Sequence, residues 1–152
     1  MLHFRTLWQN HPSTKGENFP CKAANGKPNF RNQCAIRMGL ALSESGMNMQ
    51  RYRGARCWYR GHKNHALRVE ELAKWLKEQK HEVGTVKRYA PGAKAKDKSD
   101  GLMGKSGIVA CINFWGAGNQ GDHIDLWDGV SMRRGSSGYF DKSKEVLFWE
   151  IK

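Results

Sequence analysis

No apolar run in this sequence approaches the roughly 20 residues needed to cross a bilayer, so no membrane span is expected. The opening MLHFRTLWQNHP lacks the apolar core of about 7 to 15 residues of a secretory signal. The expectation is a cytoplasmic protein, or one exported without a cleavable leader. Acidic residues are scarce: 14 Asp and Glu stand against 26 Lys and Arg, a formal charge of +12. That imbalance points to an anionic partner, whether nucleic acid, lipid headgroups or a polymer bearing carboxylates or phosphates. The basic residues are scattered rather than gathered into one helical stripe, which argues against a groove-binding helix. Cysteine is sparse as well. Cys21, Cys34, Cys57 and Cys111 form no C-x-x-C pair, so a zinc ribbon is not expected and disulfide use stays open. Cys57, His62 and His65 are metal-ligand types, but no fourth ligand follows at recognisable spacing, and neither a metal nor a cofactor is expected.

What is present suits one domain: 152 residues, with six Trp and six Phe against a mean hydropathy of −0.74, imply a compact core under a charged surface. Phe4, Leu7 and Trp8 predict one short helical turn in an otherwise irregular start. Asn32 reads as the cap of a helix over 33 to 45, closed by Ser45 and Gly46. Residues 47 to 65 read as a basic, aromatic loop. Val69, Leu72, Ala73 and Leu76 give a second helix over 67 to 80 a buried stripe, extended by Trp75. A strand is expected at 82 to 89, and PGAKAKDKSDG reads as a solvated loop. GIVACINFW, HIDLW and EVLFWEI read as strands, with Asp128-Gly129 as a two-residue hairpin turn. Helices first and an antiparallel sheet second predict an α+β fold.

Cys34 falls at the start of the first long helix, where unpaired N–H groups and the positive end of the helix dipole favour a thiolate and can also hold an oxyanion. A buried cysteine is more often packing than chemistry, so a nucleophile needs a base. His3, His11, His62, His65 and His81 read most simply as surface residues. His123 differs, because it opens an apolar strand directly after the glycine-rich GAGNQGD. Asp125, two residues on, shares its strand face and is the nearest acid to orient the imidazole. Trp115, just before that loop, and Gln120, within it, are candidate substrate-binding residues on a cleft wall. Arg37, one turn into the helix, is expected to tie down neighbouring carbonyls or a carboxylate rather than touch substrate. Cys111, mid-strand, is expected to be inert. A cysteine on an early helix and a histidine on a later sheet follow papain-like order.

NQCAIRMGLAL together with GDHIDLWDG resembles the type VI secretion amidase effectors, in particular their fourth subfamily. The resemblance implies an NlpC-type papain-like fold, with a core helix carrying cysteine packed on an antiparallel sheet carrying histidine. It implies a cysteine amidase that cuts the γ-D-glutamyl–meso-diaminopimelate bond of peptidoglycan, with Cys34 as nucleophile and His123 as base. It further implies a cognate periplasmic immunity protein, carriage by a tube or spike component of a contractile injection apparatus, and delivery from the producer's cytoplasm to a neighbour's periplasm. An oxidising periplasm would allow a disulfide between Cys21 and Cys57, closing a loop of about 36 residues.

This sequence departs from the family at the third catalytic position. An Asp is expected across the hairpin from the histidine, but with Asp128-Gly129 as the turn, His123 faces Arg134. Asp125 is therefore the candidate, with Asp141 as the alternative. Two readings compete with the enzyme: a basic nucleic-acid-acting domain and a non-catalytic cell-wall-binding module. Labelling by iodoacetamide separates them, since activity lost on modification of Cys34 alone belongs only to the enzyme.

Overall fold

The computed structural model describes residues 1–113 and 121–152. The chain opens with α1 (Phe4–Asn10) and a tight turn at Pro12–Lys15, followed by an irregular segment leading to α2 (Cys34–Glu44). After the loop comes α3 (Val69–Glu78), then a helical turn, α4 (Lys80–Val83), and β1 (Val86–Tyr89). The remainder is α5 (Ala95–Leu102), β2 (Gly107–Ile112), β3 (His123–Trp127), α6 (Tyr139–Lys142) and β4 (Glu145–Glu150). The four strands form an antiparallel sheet in the order β1-β4-β2-β3, so the expected α+β class holds. Among the described residues no helix is long and apolar enough to cross a membrane.

Period-two alternation gives the sheet two apolar faces. Ile108, Ala110, Ile124, Leu126, Leu147 and Trp149 pack with Leu7 of α1, Met38, Ala41 and Leu42 of α2, and Leu72 and Leu76 of α3. Val109, Cys111, Val146 and Phe148 face the other way, onto Leu102 of α5 and Phe140 of α6. Helix α2 is central, buried from Cys34 through Gly39 and again at Ala41 and Leu42. Gly39 lets the loop come close, because a Cβ there would lie 2.8 Å from the Asn64 carbonyl oxygen.

Three expectations are corrected. Residues 80–83 form a helical turn, so the strand expected from 82 begins only at Val86. Most of PGAKAKDKSDG is the helix α5, not a solvated loop. Its apolar side chains are too few to show a periodic stripe, and tertiary contacts hold it instead. Leu102 is buried, the Lys98 ammonium is buried and donates to the Phe140 and Ser143 carbonyls, and Tyr89 packs where a side chain on Gly101 would collide. After β3, Trp127 bridges Met132 rather than Val130, and the Asp128 N–H donates to the Ser131 carbonyl at 3.1 Å. The tight turn is thus Gly129-Val130. The Asp128 carboxylate shapes it by accepting the N–H groups of Val130 at 2.9 Å and Ser131 at 2.7 Å.

Candidate active site

Cys34 is the first residue of α2. Gln33 occupies the cap position without a capping side chain, and Asn32 reaches forward instead, its Oδ1 accepting the Cys34 N–H at 3.2 Å. The cap expected from Asn32 therefore exists one residue early, and it holds one of the helix-start N–H groups, that of Cys34. The Gln33 side chain turns back, accepting the Cys21 N–H and donating to the Cys21 carbonyl, both at 2.8 Å. That clamp fixes the approach to the helix. Arg37 behaves as expected, buried and donating to the Asn18 carbonyl at 2.7 Å.

Strand β3 lies at the sheet edge with Cys111 paired to His123, so its first residue is open to the α2 N-terminus beside it. The Cys34 sulfur lies 3.8 Å from the Asp122 carbonyl oxygen. His123 Nε2 is 2.8 Å from Asp125 Oδ2, which leaves Nδ1 as the ring atom available to the thiol. Burial alone works against an imidazolium here. Hydrogen bonds to the Asp125 carboxylate and the Cys34 sulfur, with the negative charge they carry, outweigh it and raise the His123 pKa to about 9.

Asp125 is wholly buried, and its carboxylate accepts the N–H groups of Leu126 at 2.8 Å and Arg134 at 2.9 Å as well as facing His123. Burial raises its pKa, but the His123 contact and these N–H donors more than reverse that, and the net shift is downward. The carboxylate reaches the ring directly along its own strand, and the register of the following segment sets Arg134 opposite Asp125. Arg134 contributes its backbone, not its side chain. Asp141, the alternative, is exposed on α6. Gly135 passes so close that a Cβ there would lie 2.6 Å from His123 Nε2, and Tyr139 packs edge-on to the imidazole at 5.1 Å.

Sequence reasoning missed His11. Read as a surface residue, it is 1 % exposed, its Nε2 3.8 Å from Asp125 Oδ1. Desolvation lowers its pKa to about 4 despite the neighbouring carboxylate, so the contact is not an ion pair. His11 Nδ1 accepts the Ser13 N–H at 3.2 Å, which places the ring proton on the nitrogen facing Asp125. Arg133 anchors the same corner through Thr14 Oγ1 at 2.7 Å and the Ser13 carbonyl at 2.8 Å. The one signal in the sequence was Pro12, which tightens the chain directly after this histidine.

A cleft of about 400 Å³ opens beside Cys34, lined by Asn32, Leu67, Arg68, Val69, Glu70, Glu71, Gly121 and Asp122. Trp115 and Gln120, expected on its wall, lie outside the described residues. Cys111 is buried in β2, and desolvation pushes its thiol up to about 12. Cys21 and Cys57, for which a disulfide was an open possibility, are neighbours across the start of α2. Their sulfurs stand 3.6 Å apart, well beyond the about 2.05 Å of a bond, and all four cysteines are free.

A model of the family described as type VI secretion system (T6SS), amidase effector protein 4, Tae4, matches residues 30–149. Among solved structures, Tae4 of the Salmonella typhimurium Tae4/Tai4 effector–immunity system is 19 % identical, with all of this chain covering 99 % of that one at a TM-score of 0.69. Tae4 from Enterobacter cloacae is 18 % identical, with 100 % and 98 % covered and a TM-score of 0.70. The Enterobacter cloacae Tae4–Tai4 effector–immunity complex gives 19 %, 100 %, 99 % and 0.68. At such identities the likeness is one of fold. No curated relative matches the chain.

Proposed function

The chain belongs to the type VI secretion amidase effector protein 4 family, and on that premise we propose that Cys34, His123 and Asp125 form a cysteine amidase site that cleaves peptidoglycan stem peptides. The bond is the amide between γ-D-glutamate and meso-diaminopimelate. The observation that carries this reading is the buried relay from the Cys34 sulfur through His123 to the Asp125 carboxylate, at the edge of a cleft. With its pKa near 9, His123 is an imidazolium at neutral pH, so it carries the proton that the departing amine needs.

The thiolate adds to the D-glutamyl γ-carbonyl, and the electron pair of the C=O bond moves to oxygen. The Cys34 N–H is the donor for that oxyanion. It is now bonded to Asn32, an exposed side chain on the cleft wall that is able to yield it. Collapse expels the diaminopimelate amine, which takes the proton from His123. The neutral imidazole then removes a proton from water, the hydroxide attacks the thioester, and the C–S bond breaks to restore the thiolate and release the D-glutamyl γ-carboxylic acid, which gives its proton to solvent. Asp125 positions the ring throughout. His11, neutral and with its Nε2 proton directed at the same carboxylate, holds Asp125 from behind.

The net charge of +12 suits a substrate polymer carrying carboxylates. Delivery by the type VI apparatus, on a tube or spike component, brings the enzyme to a neighbour's periplasm. An immunity protein covering the cleft protects the producer, as the pairing of the solved relatives with Tai4 suggests. The test is digestion of monomeric and crosslinked muropeptides, resolved by mass spectrometry. Cys34→Ala and His123→Ala should each abolish hydrolysis, and the double variant should be no worse, because the pair acts as a unit. kcat/KM should fall as pH rises through about 9, where His123 loses its proton. Near-normal turnover in either single variant would sink the assignment.

A further inference from the structure

Beyond the first turn of α2, away from the Asp125 corner, four metal-binding side chains converge. Cys21 comes from the segment before α2, and Cys57, His62 and His65 come from the loop between α2 and α3. The Cys21 and Cys57 sulfurs are 3.6 Å apart, and each is 3.4 Å from His62 Nδ1. With one ring nitrogen of His65, the four donor atoms lie within 4.8 Å of one another. A tetrahedral zinc ion with Zn–S near 2.3 Å and Zn–N near 2.0–2.1 Å sets its sulfurs about 3.8 Å apart and each sulfur about 3.6 Å from a nitrogen. The Cys21, Cys57 and His62 donors already stand near those spacings, and a His65 nitrogen lies within 4.8 Å of them, so a small side-chain movement closes the set.

The surroundings agree. Both cysteines and His65 are buried, and among the described residues His65 Nδ1 has no hydrogen-bond partner, a costly condition for a buried ring nitrogen unless something binds it. Asn29 Nδ2 donates to the Cys21 sulfur at 3.5 Å, the kind of outer contact that steadies a ligating thiolate. The Cys57 N–H donates to the His65 carbonyl at 3.0 Å, so two of the ligands sit on paired backbone. Ile36, Phe30, Leu40 and Leu67 wall the cluster with apolar surface.

We propose that Cys21, Cys57, His62 and His65 bind one zinc ion as a closed structural site. Four protein ligands leave no open position for substrate, which separates the site from metal catalysis. Two thiolates with two imidazoles favour zinc over the hard cations, and two thiolate charges balance those of the ion. Binding releases the two thiol protons to solvent and changes no oxidation state. The ion ties the segment before α2 to the loop beyond it. Because Gln33 grips the backbone of Cys21, the ion also fixes the chain one residue before Cys34. The site stands independently of the amidase reading, and its test needs no substrate.

Tag-free full-length protein, purified under reductant and dialysed with limiting zinc, is examined by native mass spectrometry and elemental analysis. One zinc per chain is expected, with a mass gain of one zinc less two protons. Cys21→Ser, Cys57→Ser and His65→Ala should each weaken zinc binding at least tenfold, while Cys34→Ala binds as the wild type does. To keep the test independent of whether a ligand variant folds, cobalt(II) is added to the wild type in parallel. The thiolate-to-cobalt charge-transfer band and strong visible bands of a tetrahedral site should appear and vanish on adding zinc. The proposal is overturned if the folded, reduced protein takes up no zinc or gives no tetrahedral cobalt spectrum. It is equally overturned if folded Cys57→Ser binds zinc undiminished, or if Cys21 and Cys57 are isolated as a disulfide that takes up no metal once reduced.

Discussion

Asp125 shows how much chemistry a single buried side chain can gather. Its two oxygens accept two backbone N–H groups, meet the His123 ring at 2.8 Å and face the Nε2 of His11. Asp125→Asn replaces one of those acceptor oxygens with a donor, so at least one N–H or ring nitrogen loses its partner. The expected result is a fall in kcat of roughly one to three orders of magnitude with little change in KM. A stability loss of about 1–3 kcal/mol should accompany it, because the unsatisfied group is buried. Steady-state kinetics and urea unfolding on the same preparation check both. A wild-type rate with an unmoved alkaline limb would remove Asp125 from the site.

Among the elements, α5 has the least support from its own sequence. AKDKSDGL carries a glycine, two aspartates and no stripe, yet it forms a helix whose Leu102 is fully buried and whose Leu102 carbonyl accepts the Trp127 Nε1–H at 2.8 Å. Docking, not propensity, makes it helical. Leu102→Ala should therefore cost about 2–5 kcal/mol, the range for emptying a full-sized aliphatic site, read as a shift in the urea midpoint. Since Leu102 packs behind β3, the loss should come with the catalytic rate per folded molecule kept. A cost below 1 kcal/mol would mean that α5 is not part of the core.

Across the molecule, two buried histidines pull the pH dependence of stability in opposite directions. His123, raised to about 9, contributes stability that is complete below about 6.5 and lost as pH rises through 9. His11, lowered to about 4, takes up its proton more readily unfolded, so stability is lost as pH falls from about 6.5 through 4. Asp125 adds to the acid side: its pKa is depressed, so its contribution is lost as pH falls through the folded value. The melting temperature should peak near pH 6.5, with each histidine responsible for roughly 3 kcal/mol at most. Thermal melts across the range check this. His11→Gln should flatten the acid limb and His123→Gln the alkaline one. An unchanged acid limb in His11→Gln would contradict a neutral buried His11.

Local pattern determined a good part of this protein. The Cys34 helix, the amphipathic α3, the three later strands and the pairing of His123 with Asp125 on one strand face all follow from periodicities that a short stretch of chain carries by itself. The tertiary structure decided whatever depends on segments distant in sequence. Helix α5 exists because Tyr89, Phe140 and Ser143 receive it. The turn after β3 moved to Gly129-Val130 because the Asp128 carboxylate organises it, and so Arg134 came to Asp125 by its backbone. His11 is buried because Arg133, more than a hundred residues later, closes over its corner. Cys21 and Cys57 could be paired from the sequence as a possible disulfide, but no spacing rule adds His62 and His65 to Cys21, and only the packing across α2 brings the four together. Side-chain alternation and helical stripes act over a few residues, whereas a ligand set or a buried polar corner is a property of chain crossings, which no local spacing records.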